Sequence, residues 1–597
     1  MKTETVKDGR TVLQNILLQD DTERRDLYFK SRGDLILADK GRVILKPESF
    51  LSFHSFFNAL SIQHYADIFS IKGLFLNFKY AGEGKAVIKG VNEAGIEETI
   101  SEFSLAFSNS RKPVSFEIMN AEKHKYIFPV FLSESRELLL ESMNYSCKSD
   151  VENDCRTAII ICTFKKEKYI KKIISILLAE SDLRGKIEVT IVDNAKTLSE
   201  GWIEKDFIRI IHNRNYGGAG GFTFGAMQYI DRHDVGCITF MDDDIEFEPD
   251  IIKRTYNLHS IAKEENYAIC GGMLNLKEPT EMFESGAVFD RFQLKFQPLK
   301  QLDLRDDQNL KKVFEREEFD YGAFWYFSFP LSYLKRFGLI APFFIRGDDV
   351  EYGFRLRSQG IRLVSVSGIA VWHEPFYAKD AVWLHYYTYR NLLAVSEIYN
   401  SGIGLISVIT LWKKFFHNSL RFGYIINDSV MNAFEAYMRG PDFLKSISPD
   451  KFHFELTQSF LQDKDYRQER ISADVKLLRS NGKIWKAVLN ILTVNFQLLP
   501  FPTFLKKDYF MPRTVGKEDR IEYLSSIFGA NIIKVYSLDK GEFAEYAKNT
   551  FRFWKSSFRM FGLTLKFLFL QKRIHHRWAS GFKEITSEQF WREYLLR

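Results

Sequence analysis

Between residues 157 and 244 the chain alternates short apolar runs with a helical pattern, and this alternation restricts the fold more than any other feature. The run from Glu167 to Glu180 repeats apolar residues at helical spacing. Strands that are apolar throughout and alternate with helices are typical of a parallel α/β sheet covered on both faces. The apolar runs of strand length are 157–164, 187–194, 208–211 and 237–241.

Three carboxylates, Asp242–Asp244, follow directly on the last of these runs. Side chains alternate along a strand, so Asp242 and Asp244 share one face. Two carboxylates on one face suit Mg²⁺ or Mn²⁺, and such an ion keeps open positions for phosphate oxygens. The stretch therefore predicts a nucleotide-diphosphate substrate. A solvated acidic turn is the alternative interpretation of these three residues taken alone.

Polar residues also end the other predicted strands. Thr163 and Asp193 fall at the ends of apolar runs, Asn215 comes shortly after one, and Asp242–Asp244 follow another. Because ligands of parallel sheets bind beyond the carboxyl ends of the strands, four loops are predicted to meet in one crevice.

The stretch 213–223 is rich in glycine and is predicted to open a helix at about Gly221. Glycines let the backbone approach a ligand, and a helix N-terminus offers N–H groups to an anion. Gly218 and Gly220 are therefore candidate ligand contacts, although a flexible turn has the same composition. The spacing matches neither GxGxxG nor a P-loop, which disfavours a dinucleotide dehydrogenase and an NTPase.

A second acidic pair, Asp348 and Asp349, precedes a predicted helix over Val350–Ser358. Asp349 is a candidate general base for a hydroxyl, or alternatively caps that helix. His373 ends a further apolar run, 368–373. A lone histidine is most often structural, but this position makes it a candidate third metal ligand.

Five ordered motifs resemble those of family 2 inverting glycosyltransferases with the GT-A fold. Among these, they are most similar to the galactofuranosyltransferases that polymerise galactan. The resemblance extends over residues 50 to 400. Its motifs are Ile161–Phe164, Asn215–Thr223, Asp242–Asp244, Gly347–Gly353 and Trp372–His373.

The resemblance implies a role for each matching residue. Asp244 and His373 would hold the divalent metal, with Asp242 as a further ligand. Asp349 would be the base and Asp348 would hold the acceptor hydroxyl, while Phe324, Trp325 and Tyr326 would form a sugar platform. Lys166 stands where an arginine is usual, so the charge is kept but a bidentate contact is lost. The implied donor contacts are Thr163, Phe164, Lys166, Asp193, Asn215, Gly218, Gly220, Asp242 and Asp243.

The N-terminal 150 residues lack long helical periodicity. Short strands predicted at 33–37, 74–80 and 85–90, with glycine-rich turns between them, are typical of a β-sandwich. The aromatic stretch Phe50–Phe57 is predicted to be core or interdomain packing, in preference to a sugar-stacking surface.

A chain of 597 residues is too long for one core. Three domains are predicted: a β-sandwich over 1–150, a mostly parallel, Rossmann-like GT-A domain over 151–395 and a helical domain over 396–597. The five cysteines show no CxxC spacing, so neither a disulfide framework nor a zinc site is indicated. The polar N-terminus and the lack of an 18-residue apolar run predict neither a signal peptide nor a membrane-spanning helix.

The last 47 residues carry ten Lys or Arg against three Glu, so the positive surplus is local and argues against nucleic-acid binding. A helix predicted over 549–578 would bear a basic stripe among apolar residues, typical of a helix lying on an anionic membrane. A core helix or an oligomer interface is the alternative. The stripe consists of Arg552, Lys555, Arg559, Lys566 and Arg573.

A further helix is predicted over 381–399. It carries Trp383, Tyr386, Arg390 and Asn391, which would either close the acceptor site or pack.

Together these features predict an inverting transferase, dependent on Mn²⁺ or Mg²⁺, that moves galactofuranose from UDP-galactofuranose to a lipid-linked bacterial surface glycan. It is expected on the cytoplasmic face of the inner membrane, and the resemblance implies a homo-oligomer. The alternatives are a related transferase with another donor, such as a rhamnosyl nucleotide, and a non-catalytic glycan-binding scaffold.

Overall fold

The structure is a computed structural model. Cys155 and the first eight residues lie outside its described part. It describes residues 9–38, 41–61, 65–153, 156–199, 207–290, 292–375, 381–399, 403–470, 483–498, 508–512, 520–537 and 542–597.

The N-terminal part forms one hydrogen-bonded antiparallel sheet of eight strands. The long strand β8 pairs with β6 along one edge and with β1, β4 and β5 in succession along the other. The β-sandwich expected for this segment stays a prediction. The strands are β1 Thr11–Asn15, β2 Lys30–Arg32, β3 Leu35–Ala38, β4 Arg42–Leu45, β5 Phe50–Ser52, β6 Lys72–Val91, β7 Glu97–Ile118 and β8 Tyr126–Lys148.

The predicted turn between residues 80 and 85 is wrong, since β6 is continuous through it. Its register shifts at Gly82 and Gly84 on both flanking strands, so the glycines mark bulges. A Cβ on Gly82 would lie 1.9 Å from the Glu137 carbonyl oxygen, and one on Gly84 would lie 2.2 Å from that of Leu132. Glycine is needed there because the neighbouring strand comes too close for a side chain.

The central part alternates strands and helices, as predicted. The helix α1 buries Ile170, Ile173, Ile174 and Leu177, the apolar face seen in the sequence. The strands are β9 Arg156–Thr163, β10 Ile187–Asp193, β11 Ile208–His212, β12 Val235–Asp242, β13 Glu246–Phe247, β14 Tyr267–Cys270, β15 Gly272–Asn275, β16 Glu281–Glu284, β17 Ala287–Asp290, β18 Lys295–Pro298, β19 Leu302–Asp303, β20 Tyr326–Pro330, β21 Arg362–Val364 and β22 Ala370–His373. The helices are α1 Glu167–Ala179, α2 Gly217–Met227, α3 Asp250–Ser260, α4 Asp307–Val313, α5 Ser332–Phe337 and α6 Asp348–Ser358.

Seven of these strands form the main sheet, in the order β11-β10-β9-β12-β20-β14-β21. Four of its pairings are parallel, and β20 alone runs antiparallel to both of its neighbours. The predicted mostly parallel α/β sheet is therefore confirmed. The carboxyl ends of β9, β10 and β12 lie side by side and carry Thr163, Asp193 and Asp242.

A second sheet, β13-β22-β15-β16-β19, stands beside the main sheet and was not predicted from the sequence. Its short strand β13 begins two residues after Asp244 and pairs with β22, with Glu246 opposite Trp372. This pairing places His373 next to the acidic run, although the two are far apart in the chain.

The Phe50–Phe57 stretch is packing, as predicted. Phe53, Phe56 and Phe57 are buried, and the Phe57 ring lies 5.5 Å from the ring of Trp372, centroid to centroid. Arg254 on α3 donates hydrogen bonds to the carbonyls of Phe57 and Gly368, which joins the N-terminal sheet to the second sheet.

The C-terminal part is largely helical but also holds a four-stranded sheet that the sequence did not predict. Among the helices of the described ranges, none combines the length and the apolar composition that a membrane span requires. The helices are α7 Val382–Tyr399, α8 Leu405–Leu420, α9 Tyr424–Met438, α10 Pro441–Ser446, α11 Pro449–Leu461, α12 Ile484–Thr493, α13 Arg520–Ser526, α14 Thr550–Ile585 and α15 Glu588–Leu595. The strands are β23 Tyr466–Arg470, β24 Asp508–Pro512, β25 Ile532–Ser537 and β26 Glu542–Ala547.

The predicted basic stripe is not a continuous outward face of α14. Arg552 is ion-paired with Asp428, Asp463 and Asp465, so it ties α14 to neighbouring segments. Arg559 is likewise paired with Glu435. Sequence spacing places residues on one helix face, but it does not reveal which carboxylates the fold brings to that face.

Candidate active site

A metal-ligand cluster lies where the two central sheets meet. Asp242, Asp244 and His373 each offer a ligand atom, and these atoms all lie within 4.8 Å of one another. The Nε2 atom of His373 is 3.1 Å from Oδ1 of Asp244. Two carboxylates and an imidazole at this separation fit a divalent cation such as Mn²⁺ or Mg²⁺.

The cluster is strongly acidic and partly buried. Burial and the neighbouring Asp244 charge raise the pKa of Asp243 to about 7. The Lys166 ammonium lies 3.3 Å from the second oxygen of Asp244. The single charge of Lys166 does not balance these three adjacent carboxylates, an arrangement that favours a bound cation.

The pair Asp348–Asp349 opens α6 close to this cluster. Asp348 is buried, and a Cβ on Gly218 would lie 3.8 Å from its Oδ2 atom. Burial raises the pKa of both carboxyls above the usual aspartate range, and the charge of Asp242 adds to the effect on each. We call the region bordered by Asp242, Asp244, His373, Asp348 and Asp349 the acidic crevice.

The N-cap interpretation of Asp349 is wrong. Helix α6 begins at Asp348, two residues before its predicted start, and Gly347 occupies the N-cap position with φ of +79°. Asp349 instead accepts a hydrogen bond from the backbone N–H of Val350 at 2.8 Å.

The glycine-rich loop is already helical where a loop was predicted, because α2 begins at Gly217. A Cβ on Gly220 would lie 2.2 Å from that of Tyr216, and one on Gly221 would lie 2.1 Å from the sulfur of Cys162. These two glycines let α2 pack against its own first turn and against β9. Gly218 alone of the four glycines at 217–221 has only distant neighbours, and it faces Asp348.

The remaining predicted donor contacts lie at the strand ends. Thr163 is buried, and the Phe164 ring is 44% exposed just beyond it. Asp193 accepts hydrogen bonds from the backbone N–H groups of Ala195 and Leu198, so its carboxylate shapes the loop after β10. Asn215 accepts one from the N–H of Gly217 and so shapes the start of α2.

The structure does not bring the three predicted platform aromatics together. Phe324 packs among core rings, including those of Phe222 and Phe240. Tyr326 lies in β20 and donates its hydroxyl to Thr255 on α3. Of the three, Trp325 adjoins the cluster, with its ring 6.4 Å from that of His373.

The region of the chain that contains this site matches a known protein family. Residues 155–384 match the model of the family described as glycosyltransferase like family 2. This segment is a family 2 glycosyltransferase domain. It contains every residue of the acidic crevice, so the resemblance seen in the motifs is confirmed.

Two mycobacterial proteins are similar to the chain. Galactofuranosyltransferase GlfT2 of Mycobacterium tuberculosis is 31% identical over 254 residues, which span 40% of each protein. GlfT2 of Mycolicibacterium smegmatis is 25% identical over 427 residues, which span 67% of this chain and 66% of that protein. The chain thus spans less than two thirds of either relative.

Among solved structures, GalNAc-T7 with UDP, GalNAc and Mn²⁺ resembles the chain at 12% identity. The match has a TM-score of 0.33 and covers 55% of this chain and 62% of that one.

Two residues of the glycosyltransferase domain were missed by the sequence reasoning. Glu284 ends β16 and is buried, and burial together with the charge of Asp349 raises its pKa to about 8. Arg346 precedes the acidic pair, and its charge acts on Asp348 and Asp349. No local signal marks Glu284, since its position depends on the second sheet.

The loop before α6 has a strained backbone. Phe344 and Arg346 adopt φ angles of +70° and +66°, a conformation that costs non-glycine residues about 1–3 kcal/mol each. The buried amide of Asn391 donates to the carbonyls of Phe343, Ile345 and Arg346, at 3.2, 3.0 and 2.6 Å. Arg390 also donates to Phe343. Helix α7 therefore holds the loop that presents Asp348 and Asp349.

We expect Asn391→Asp to lower kcat/KM for the acceptor at least tenfold, since the isosteric carboxylate lacks the donor that fixes this loop. UDP binding, measured by calorimetry, should change less than threefold, because Asn391 acts only through the loop. An equal loss of UDP affinity and turnover would contradict a positioning role. Asn257→Asp on α3 is the matched control.

Proposed function

We propose that the protein transfers galactofuranose from UDP-galactofuranose to a glycan acceptor, with inversion at the anomeric carbon. One observation carries the proposal. A three-ligand cation cluster and a separate buried carboxylate pair border the same crevice of a family 2 glycosyltransferase domain. The choice of donor is supported by the similarity to the two GlfT2 proteins.

The proposed chemistry divides the crevice into two sides. Asp349 accepts the proton of the acceptor hydroxyl as that oxygen attacks the anomeric carbon, and Asp348 holds the hydroxyl. Asp242, Asp244 and His373 would hold Mn²⁺ or Mg²⁺, which neutralises charge on the leaving diphosphate. A single carboxylate base suffices for inversion, and no second carboxylate nucleophile is required, unlike in a retaining glycosidase.

The donor side of the proposal rests on the ends of β9, β10 and β12. Thr163 and the exposed Phe164 are the candidate uridine contacts, and Lys166 lies beside the diphosphate position next to Asp244. Gly218 offers a backbone N–H at the start of α2, where an anion is favoured.

The test is UDP release by the purified chain with UDP-galactofuranose and a short galactofuranosyl acceptor. Mn²⁺ or Mg²⁺ is supplied first and EDTA afterwards, with UDP-galactopyranose and dTDP-rhamnose in parallel. We expect release that depends on acceptor and metal and is confined to the furanose donor. Turnover with another donor would show that the donor is not UDP-galactofuranose. Absence of both turnover and UDP binding would favour a glycan-binding scaffold.

We further propose that the acceptor is lipid-linked and that the protein works on an anionic membrane surface. The helices α8 and α14 lie side by side, since Trp412 donates to Thr564 and Gln571 donates to the carbonyl of Ile403. Both expose apolar side chains among lysines, which suits an interfacial helix. The exposed apolar residues are Leu405, Ile406, Ile409 and Phe416 of α8, and Phe551, Trp554, Phe558, Phe561, Leu565, Leu568 and Phe569 of α14.

We expect the double variant Phe558→Ser/Phe569→Ser to lose at least tenfold of its partitioning onto vesicles containing phosphatidylglycerol. These rings are 71% and 86% exposed, so their loss removes apolar contact without unpacking the core. Co-sedimentation measures the partitioning. Phe107→Ser, an exposed position on β7, is the control. Unchanged partitioning of the double variant would exclude α14 as the contact surface.

A further inference from the structure

A large cavity of about 1040 Å³ lies in the C-terminal part, apart from the acidic crevice. It is lined mainly by the first turn of α7, by α8, by α11 and by the C-terminal sheet, with further residues from α9, α12 and α13. It shares no lining residue with the acidic crevice, and the proposed transfer reaction does not use it. A cavity of this size is large enough for a ligand of small-molecule size.

The inner wall of this cavity is cationic. Lys413, Lys414 and Arg421 line it together with two histidines, and Glu542 is the one carboxylate among the described lining residues. Burial and the charge of Arg421 lower the pKa of Lys414 to about 8. Among the described residues, Lys414 forms no ion pair with a carboxylate. Three Lys or Arg side chains against one carboxylate favour an anionic ligand.

The mouth of the cavity is apolar. Phe416, Leu461 and Ile491 line it, and their side chains are 41%, 71% and 51% exposed. We call these three residues the apolar rim. Ile491 belongs to α12, which has further exposed apolar side chains, and Phe416 belongs to α8, whose exposed apolar side chains are given above. A ligand leaving the cavity would therefore pass along apolar surface.

The cationic wall and the apolar rim together favour a ligand that has an anionic part and a hydrocarbon part. We infer that this cavity binds the phosphate or diphosphate group of a lipid, with the hydrocarbon chain leaving over the apolar rim. Arg421 and Lys414 contact the phosphate oxygens, and the chain covers Phe416 and Ile491. Phosphate alone would leave the rim exposed, and a hydrocarbon alone would leave Lys414 without a counter-charge in a buried position.

The position of the cavity connects it to the reaction. Trp383 and His385, on the first turn of α7, line it, and the same helix holds the loop of Asp348 and Asp349 through Asn391. The charge of Arg346, beside the acidic pair, reaches His385. The lipid is accordingly assigned as the lipid end of the glycan acceptor, and for that identity alone the inference rests on the proposed function.

The test is calorimetric titration of the full chain, without any sugar nucleotide, with four soluble probes below their micellar concentrations. They are farnesyl diphosphate, farnesol, inorganic diphosphate and dihexanoyl-phosphatidylglycerol. We expect farnesyl diphosphate to bind at least tenfold more tightly than farnesol and inorganic diphosphate. Equally tight binding of farnesol or of inorganic diphosphate would overturn the two-part site.

The phospholipid probe distinguishes the sources of the phosphate. Binding as tight as that of farnesyl diphosphate would support the site but assign it to a membrane phospholipid. Weaker binding would support the acceptor lipid. Because no donor is present, the result does not depend on turnover, and a failed transfer assay would leave it unaffected.

Two variants test whether farnesyl diphosphate binds in the cavity. Lys414→Met should weaken farnesyl diphosphate binding at least tenfold, whereas Glu542→Gln should bind at least as tightly as the parent chain, since it removes the opposing charge. Lys555→Met, on the exposed part of α14, is the matched control. Unchanged affinity in Lys414→Met, with an unchanged thermal midpoint, would refute the assignment.

Discussion

Asp349→Asn is expected to reduce turnover at least a hundredfold while leaving metal-dependent UDP binding within threefold of the parent chain. General base catalysis contributes about 10²–10⁴ in rate, and asparagine cannot accept the hydroxyl proton. UDP release measures turnover, and calorimetry measures UDP binding. Near-normal turnover in this variant would show that another group is the base.

The same variant separates a catalytic role from a structural one. Burial raises the pKa of Asp349, so its charged form is disfavoured in the folded chain at neutral pH. That penalty is absent when the carboxyl is protonated and appears as the pH rises through the raised pKa. Asparagine removes the penalty, so the thermal midpoint at pH 7.5 should equal or exceed that of the parent chain.

The pH profile of the parent chain provides an independent check. The base must be unprotonated, so kcat/KM should fall as the pH is lowered through the raised pKa of Asp349. The midpoint of this acidic limb should therefore lie well above about 4, the ordinary aspartate value. A midpoint at the ordinary value would assign the limb to a different, solvated carboxyl.

The second large effect concerns the cation. Asp244→Ala and His373→Ala are each expected to weaken Mn²⁺-dependent UDP binding at least tenfold and to lower turnover at least a hundredfold. Each substitution removes one of the three ligand atoms that lie within 4.8 Å of one another. Calorimetric titration of UDP at several Mn²⁺ concentrations measures the loss.

Glu374→Gln is the matched control for this effect. Glu374 follows His373 directly, but its carboxylate is 41% exposed and lies 4.0 Å from Lys277 instead of in the cluster. The dependence of UDP binding on Mn²⁺ in the Glu374→Gln variant should equal that of the parent chain. If the Asp244 and His373 variants retained the parental Mn²⁺ dependence, those residues would not be metal ligands.

Local sequence predicted much of the glycosyltransferase domain. The strands ending at Thr163, Asp193 and Asp242 and the helix α1 lie within two residues of their predicted bounds, because strand and helix periodicities are properties of adjacent residues. The start of α2 was less predictable. Glycine-rich segments usually favour loops, but here close packing against Cys162 and Tyr216 allows no side chain at Gly220 or Gly221.

Charge patterns were predicted less well than apolar patterns. The stripe on α14 suggested an outward basic face, yet Arg552 is paired with Asp463 and two further aspartates. An apolar periodicity identifies a buried face by itself. A charged residue, in contrast, is exposed or paired according to the carboxylates that distant segments bring near it.

The sequence by itself determined which residues carry the chemistry. They are two carboxylates on one face at the end of β12, an acidic pair at the start of α6 and a histidine at the end of β22. Only the tertiary structure decided how they meet. His373 reaches Asp244 because β13 pairs with β22. Glu284 approaches Asp349 because β16 belongs to the second sheet, together with β13 and β22. Pairing between distant strands depends on the packing of the whole domain, so no local pattern specifies it.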